Sequence, residues 1–175
     1  EFDEHVWTSP VNAIQIISKI KDKLTDFDVE NTNFYENNAN EYIKEITTLD
    51  SNFRDFFDTV ENKTMVFGDR FPLVYFAKEY DIKYYAAFPG CADHSEPGAT
   101  TIATLIKKID SEKISTVYYI EFSNHNIADT LAEATGASTA LFHSCHNVSK
   151  EQLSKGATYV SLMQENLETL RLTMK

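Results

Sequence analysis

An α/β fold, a four-stranded parallel doubly wound sheet with flanking helices and preceded by a long linking helix, is what this sequence predicts. Three observations carry that prediction. Four short β-rich runs, Thr64 to Phe67, Tyr84 to Phe88, Thr116 to Ile120 and Ser138 to Phe142, are continuous rather than alternating, the pattern of strands buried on both faces. Each run is followed by a segment of helical periodicity, which parallel strands need for their crossovers. The chain ahead of Thr64 has no such run and carries two amphipathic stripes instead.

Taken in order, Ser9 before Pro10 signals a helix start, and Ala13, Ile16, Ile17, Ile20 and Leu24 then recur at helical spacing to an end near Thr25. After a polar stretch, Tyr35, Tyr42, Ile46, Leu49, Phe53, Phe57 and Val60 keep a second stripe going for about seven turns, roughly 40 Å at 1.5 Å per residue. That length reads as a strut more than as a core element. The crossover helices are signalled by Phe71 to Tyr80, Pro97 to Ile109, Ser123 to Thr135 with Gly136 as a stop, and Tyr159 to Met174. The chain therefore divides into linking helices over 1–62 and an α/β lobe over 63–175.

Its 175 residues are 42% hydrophobic and 25% charged, enough apolar material for one folded core. A net charge of −11 repels phosphate backbones and suits cations, which argues against nucleic acid as a partner. No apolar run approaches the roughly 20 residues of a membrane span, and Glu1 to His5 lack signal-peptide features. The two cysteines are too few for a disulfide scaffold and form no CxxC motif.

Ligands of open α/β sheets bind beyond the carboxyl ends of the strands. The first such loop holds Gly68, Asp69 and Arg70; the second Cys91, Asp93, His94 and Glu96; the third Glu121 and His125; the fourth His143, Cys145 and His146. Four of the five histidines thus fall on one edge, and the fifth, His5, stands just before the first helix. Imidazole is the commonest protein ligand for zinc and carboxylates complete such sites, so the gathering reads as a divalent metal site. Structural readings compete at each position. Asp69 could cap the helix expected from Phe71, His125 sits beside the expected N-cap Ser123, and Glu121 could be a ligand, an acceptor or a surface group. One of His143 and His146 could serve only to support the other.

The start Asp3-Glu4-His5-Val6-Trp7-Thr8-Ser9-Pro10, the long strut, and Thr158-Tyr159 leading to Leu162-Met163 and Asn166-Leu167 resemble the zinc- and manganese-type solute-binding proteins of ABC importers, the ZnuA- or TroA-like class. The combination of Phe67-Gly68-Asp69-Arg70-Phe71-Pro72, Pro89-Gly90-Cys91 and His143-Ser144-Cys145-His146-Asn147 looks like a clostridial-type branch of it. The resemblance implies two lobes joined by the long helix with the metal between them, this chain supplying the linking helices and the C-terminal lobe, and an N-terminal lobe outside it. Of the four family ligands it implies His5 as one, places a second in the other lobe, and puts Gly68 and His143 where the family has a histidine and a carboxylate. It also implies an extracellular location, anchored at the cell surface or periplasmic, and that context favours a disulfide between Cys91 and Cys145.

The expected site is then His5 and His143 on the ion, an oxygen from Asp69 or Glu96, and His146 and His94 in reserve. Imidazole-rich ligation favours zinc, with manganese as the alternative. Ligand imidazoles must be neutral, so affinity should weaken below about pH 6.5. The implied function is capture of a divalent metal ion and its delivery to an ABC permease, without catalysis. A metal-dependent hydrolase, or a Cys/His nucleophile site at the same strand edge, is the rival enzyme reading. A structural lobe that docks through its aromatic stripe is a third, and exposed apolar surface on the linking helices would favour self-association.

Overall fold

The computed structural model describes residues 3–88 and 97–174. Its four strands, β1 (Thr64–Phe67), β2 (Lys83–Ala86), β3 (Thr116–Tyr119) and β4 (Ser138–Leu141), are all parallel and lie in the order β2-β1-β3-β4. The seven α-helices among the described residues are α1 (Pro10–Phe27), α2 (Thr32–Asp58), α3 (Val74–Glu79), α4 (Ala99–Glu112), α5 (Asn126–Thr135), α6 (Lys150–Ser154) and α7 (Tyr159–Thr173).

Period-two alternation sends the apolar residues of the central strands β1 and β3 to two cores. Met65, Phe67 and Tyr118 meet Leu49, Phe53 and Phe57 of α2, Phe76 of α3 and Met163, Leu167 and Leu170 of α7. Val66 and Val117 face the other way, against Leu105 and Ile109 of α4 and Ala128 and Leu131 of α5. Both faces are covered, as a doubly wound parallel sheet requires.

Several elements differ from expectation for identifiable reasons. The second half of α2 is core, since Ile46, Leu49, Phe53 and Phe57 are all buried; only its first half stands away as a strut, with Phe34 exposed. Helix α3 starts at Val74, not Phe71, because Pro72 turns the residue before it away from helical angles. Helix α5 starts at Asn126, not Ser123, because Phe122 and His125 take left-handed φ of 59° and 44°. Helix α6 was not expected; a reciprocal cap between Ser149 and Gln152 supports its short span. Gly136 ends α5 at φ 74°, as its sequence position implies. Helix α1 packs along α2, leaving an apolar groove lined by Ile17, Ile20, Leu24, Tyr35 and Tyr42 and an exposed tip at Phe27 and Val29.

At the far end of the sheet, Glu112 of α4 ties down β2. Its carboxylate accepts from Lys83 Nζ at 2.9 Å and Tyr85 Oη at 3.0 Å, with Lys108 Nζ at 3.4 Å. The Lys83 hydrogen bond, helped by Tyr85 and Lys108 and opposed by burial, lowers its pKa from 4.5 to about 2. A depressed folded-state value favours the folded protein above 4.5 and loses that contribution as pH falls toward about 2. The Glu112→Gln variant should therefore unfold at lower urea than the parent at pH 7, and the two midpoints should converge in acid. A difference independent of pH would remove the carboxylate charge as its cause.

Candidate metal centre

With β1 and β3 as neighbours and their crossovers leaving in opposite directions, the loops after these strands flank the switch point where α/β sheets bind ligands. A cavity of about 320 Å³ lies there, lined by Asp69 and Arg70 after β1, Glu121 to Ser123 after β3, and Ser144, His146 and Asn147 after β4. Among the described residues, three of the five non-glycine residues with positive φ, Phe122, His125 and Cys145, are in the two loops that rim it. Side chains rarely adopt that conformation, and it gathers where a loop must aim its groups.

His5 enters from outside the sheet. It is 1% exposed, and its Nδ1 lies 3.2 Å from Asp3 Oδ1. An ionised carboxylate only accepts, so the hydrogen of this contact sits on Nδ1, as it does in metal-ligating histidines backed by a carboxylate. The His5 and His146 ring centroids are 5.5 Å apart, and Trp7 packs against both, at 5.3 Å and 5.6 Å. Trp7 also donates from Nε1 to Ser144 O at 3.1 Å, and Tyr159 Oη donates to Trp7 O at 2.9 Å. The opening motif and the loop after β4 are thus stitched together.

His143 points elsewhere in bonding terms. Its backbone is bracketed by the Asn166 side chain, N–H to Oδ1 at 2.6 Å and Nδ2–H to the carbonyl at 2.8 Å. Its ring is 3% exposed, with Nε2 at 3.4 Å from Glu165 and Nδ1 buried without a hydrogen-bond partner among the described residues. Asp69 does not cap α3. Its oxygens accept from Arg70 N at 2.7 Å and Ile120 N at 3.2 Å, which holds the carboxylate at the cavity wall. His125 takes a structural role as the N-cap residue of α5, its Nδ1 2.8 Å from Asp129. Cys91, His94 and Glu96 lie outside the described residues.

Glu121 accepts four hydrogen bonds from the loop after β4. Burial alone would raise its pKa, yet the donors of Ser144 and Asn147 hold it below the ordinary carboxylate value. Burial, with the charges of Glu121 and Glu165, pushes the Cys145 thiol well above its usual range, which disfavours the thiolate a nucleophile needs. Among the described residues no group of three or more His, Cys, Asp and Glu forms a complete metal site. What the chain brings together is a pair of imidazoles beside a carboxylate-lined cavity.

Sequence reasoning missed Trp7 and Asn166 as organisers of this edge. Asn166 left a signal, a polar residue within the apolar stripe of α7 that is 1% exposed. The indole bond to Ser144 left none, since its partners are 137 residues apart.

A family model described as ZnuA, zinc-uptake complex component A, periplasmic, matches residues 1–172. The high-affinity zinc uptake system protein ZnuA of Bacillus subtilis (strain 168) is 32% identical over 169 residues, covering 97% of this chain and 52% of that protein. The zinc-binding lipoprotein AdcA of Streptococcus pneumoniae (strain ATCC BAA-255 / R6) is 30% identical over 173 residues, 99% of this chain and 34% of that protein. Among solved structures, the Zn(II)-bound ZnuA-like domain of Streptococcus pneumoniae AdcA matches with a TM-score of 0.81 and 29% identity, covering 98% of this chain and 64% of that one. The chain spans about half or less of the length of these curated relatives.

Proposed function

The chain belongs to the family of the zinc-uptake component ZnuA, and from that premise we propose that it is the C-terminal metal-capturing part of a solute-binding protein that takes up zinc outside the cell and hands it to an ABC permease. Residues 63–175 are the lobe and 1–62 the bridge to an N-terminal lobe, which the apolar groove and exposed tip of α1 and α2 are suited to receive. Lipid anchoring at the cell surface is in keeping with a relative named a lipoprotein. The family is one of metal uptake and the Cys145 thiol is held protonated, so a hydrolase reading gains nothing from either.

One observation carries the site: the 5.5 Å separation of the His5 and His146 rings. Two imidazoles on one tetrahedral zinc, each nitrogen about 2 Å from the ion, set their centroids roughly 5 Å apart. We take His5 and His146 as the imidazole ligands and Asp69, on the wall of the cavity that His146 also lines, as an oxygen donor. Further ligands come from Glu96 or His94 and from the N-terminal lobe. His143, with its ring turned to Glu165, is the inner alternative.

Calorimetric titration at pH 7.5 tests this directly. Zinc should bind at about one equivalent and manganese more weakly, since borderline-soft imidazoles favour zinc. Zinc affinity should fall as the solution is taken below about pH 6.5, where imidazoles compete for protons. Manganese binding tighter than zinc, or zinc affinity flat down to pH 5, would count against histidine ligation.

A further inference from the structure

Four donors on one carboxylate is an unusual use of a residue beside a metal cavity. Ser144 gives its N–H to Glu121 Oε2 at 2.8 Å and its hydroxyl to Oε1 at 2.6 Å, while the N–H groups of His146 and Asn147 reach Oε1 at 3.1 Å and 3.3 Å. A carboxylate presents about four lone-pair sites, so the loop leaves little for a cation. The same loop turns sharply at Cys145, φ 58°, and is held on its other side by the Trp7 indole on Ser144 O. It is thus pinned between an anion from the loop after β3 and the aromatic residue that also packs on His5 and His146.

We propose that Glu121 is a positioning residue for metal capture: its carboxylate, saturated by the loop, sets where His146 stands against His5 and does not itself ligate the ion. This rests on the reading of His5 and His146 as zinc ligands. The neutral isostere glutamine cannot replace the glutamate, because its amide nitrogen would set a donor against donors of Ser144, His146 or Asn147.

Trp7 is the only tryptophan in the chain, so its indole N–H resonance and emission report the position of Ser144 with no metal present. In Glu121→Gln the resonance should move and zinc affinity should weaken at least about tenfold, the scale of lost support behind a ligand. Glu112→Gln, which loosens a network away from the cavity, should change neither. Wild-type zinc affinity with an unmoved indole signal in Glu121→Gln would overturn the proposal. Should that variant fail to fold, Ser144→Ala decides, since it removes the hydroxyl bond to Glu121, with the longer one from His146 N at 3.3 Å, and leaves the three backbone donors to Glu121 in place. A shifted indole resonance there supports the anchor, and an unchanged one overturns it. If the unaltered chain takes up no zinc, the ligand assignment fails, while the indole signal of the metal-free variants still decides whether Glu121 sets the loop.

Discussion

Replacing Gly68 by alanine is expected to destabilise the folded chain by about 3 kcal/mol or more, the upper range for forcing atoms into a filled interior. A Cβ at this position would lie 2.3 Å from Ala128 Cα, 2.4 Å from Ala128 N and 2.7 Å from Ala128 Cβ. Two of those three contacts are with helix backbone, so no side-chain rotation relieves them. Gly68 N–H also bonds Tyr118 O at 2.9 Å, and Ala128 is fully buried, which fixes the strand end and α5 against one another. The new methyl must push α5 off the sheet and open the core around Val66, Val117 and Leu131. Urea unfolding of the two proteins measures this, and a loss under about 1 kcal/mol would mean that α5 shifts at little cost.

This clash bears on ligation as well as on stability. The family resemblance places a histidine of the C-terminal lobe where this chain has Gly68, and a histidine would bring the same Cβ against the same backbone. The chain cannot regain that ligand by a single substitution. In the proposed site the donors come from the neighbouring loops instead, with His146 after β4 and Asp69 both on the cavity wall.

The central strands β1 and β3 were legible because a strand buried on both faces leaves a continuous run, and the helices because one apolar stripe repeats every turn. What the stripe of α2 could not reveal is where burial begins. Tyr35 and Phe57 look alike in sequence, yet Phe57 is 2% exposed against the sheet while Tyr35 lines an open groove. The place of the cavity was legible too, since open α/β sheets form theirs beyond the strand ends. Which of His143 and His146 stands beside His5 was not. It depends on which way a loop turns at Cys145, a left-handed residue that no local preference announces, and on an indole bond closed across nearly the whole chain.

That choice yields the second large effect. His146→Ala should weaken zinc binding at least about hundredfold, or about 2.7 kcal/mol, because it removes one of the two described imidazoles at ligand spacing. His143→Ala should leave zinc affinity within about threefold, since its ring is engaged with Glu165 and is not in the cavity lining. The strongest objection is the His143 Nδ1 atom, buried and without a partner among the described residues. An unpaired buried acceptor costs about 1–3 kcal/mol, and a zinc ion on it would recover that cost. The two arrangements therefore predict opposite pairs of results in calorimetry at pH 7.5. If His143 ligates, His143→Ala loses zinc and His146→Ala keeps it. If it only shapes the loop, removing its ring also removes the unpaired atom, and the variant should be less destabilised than burial of an imidazole at 3% exposure would suggest.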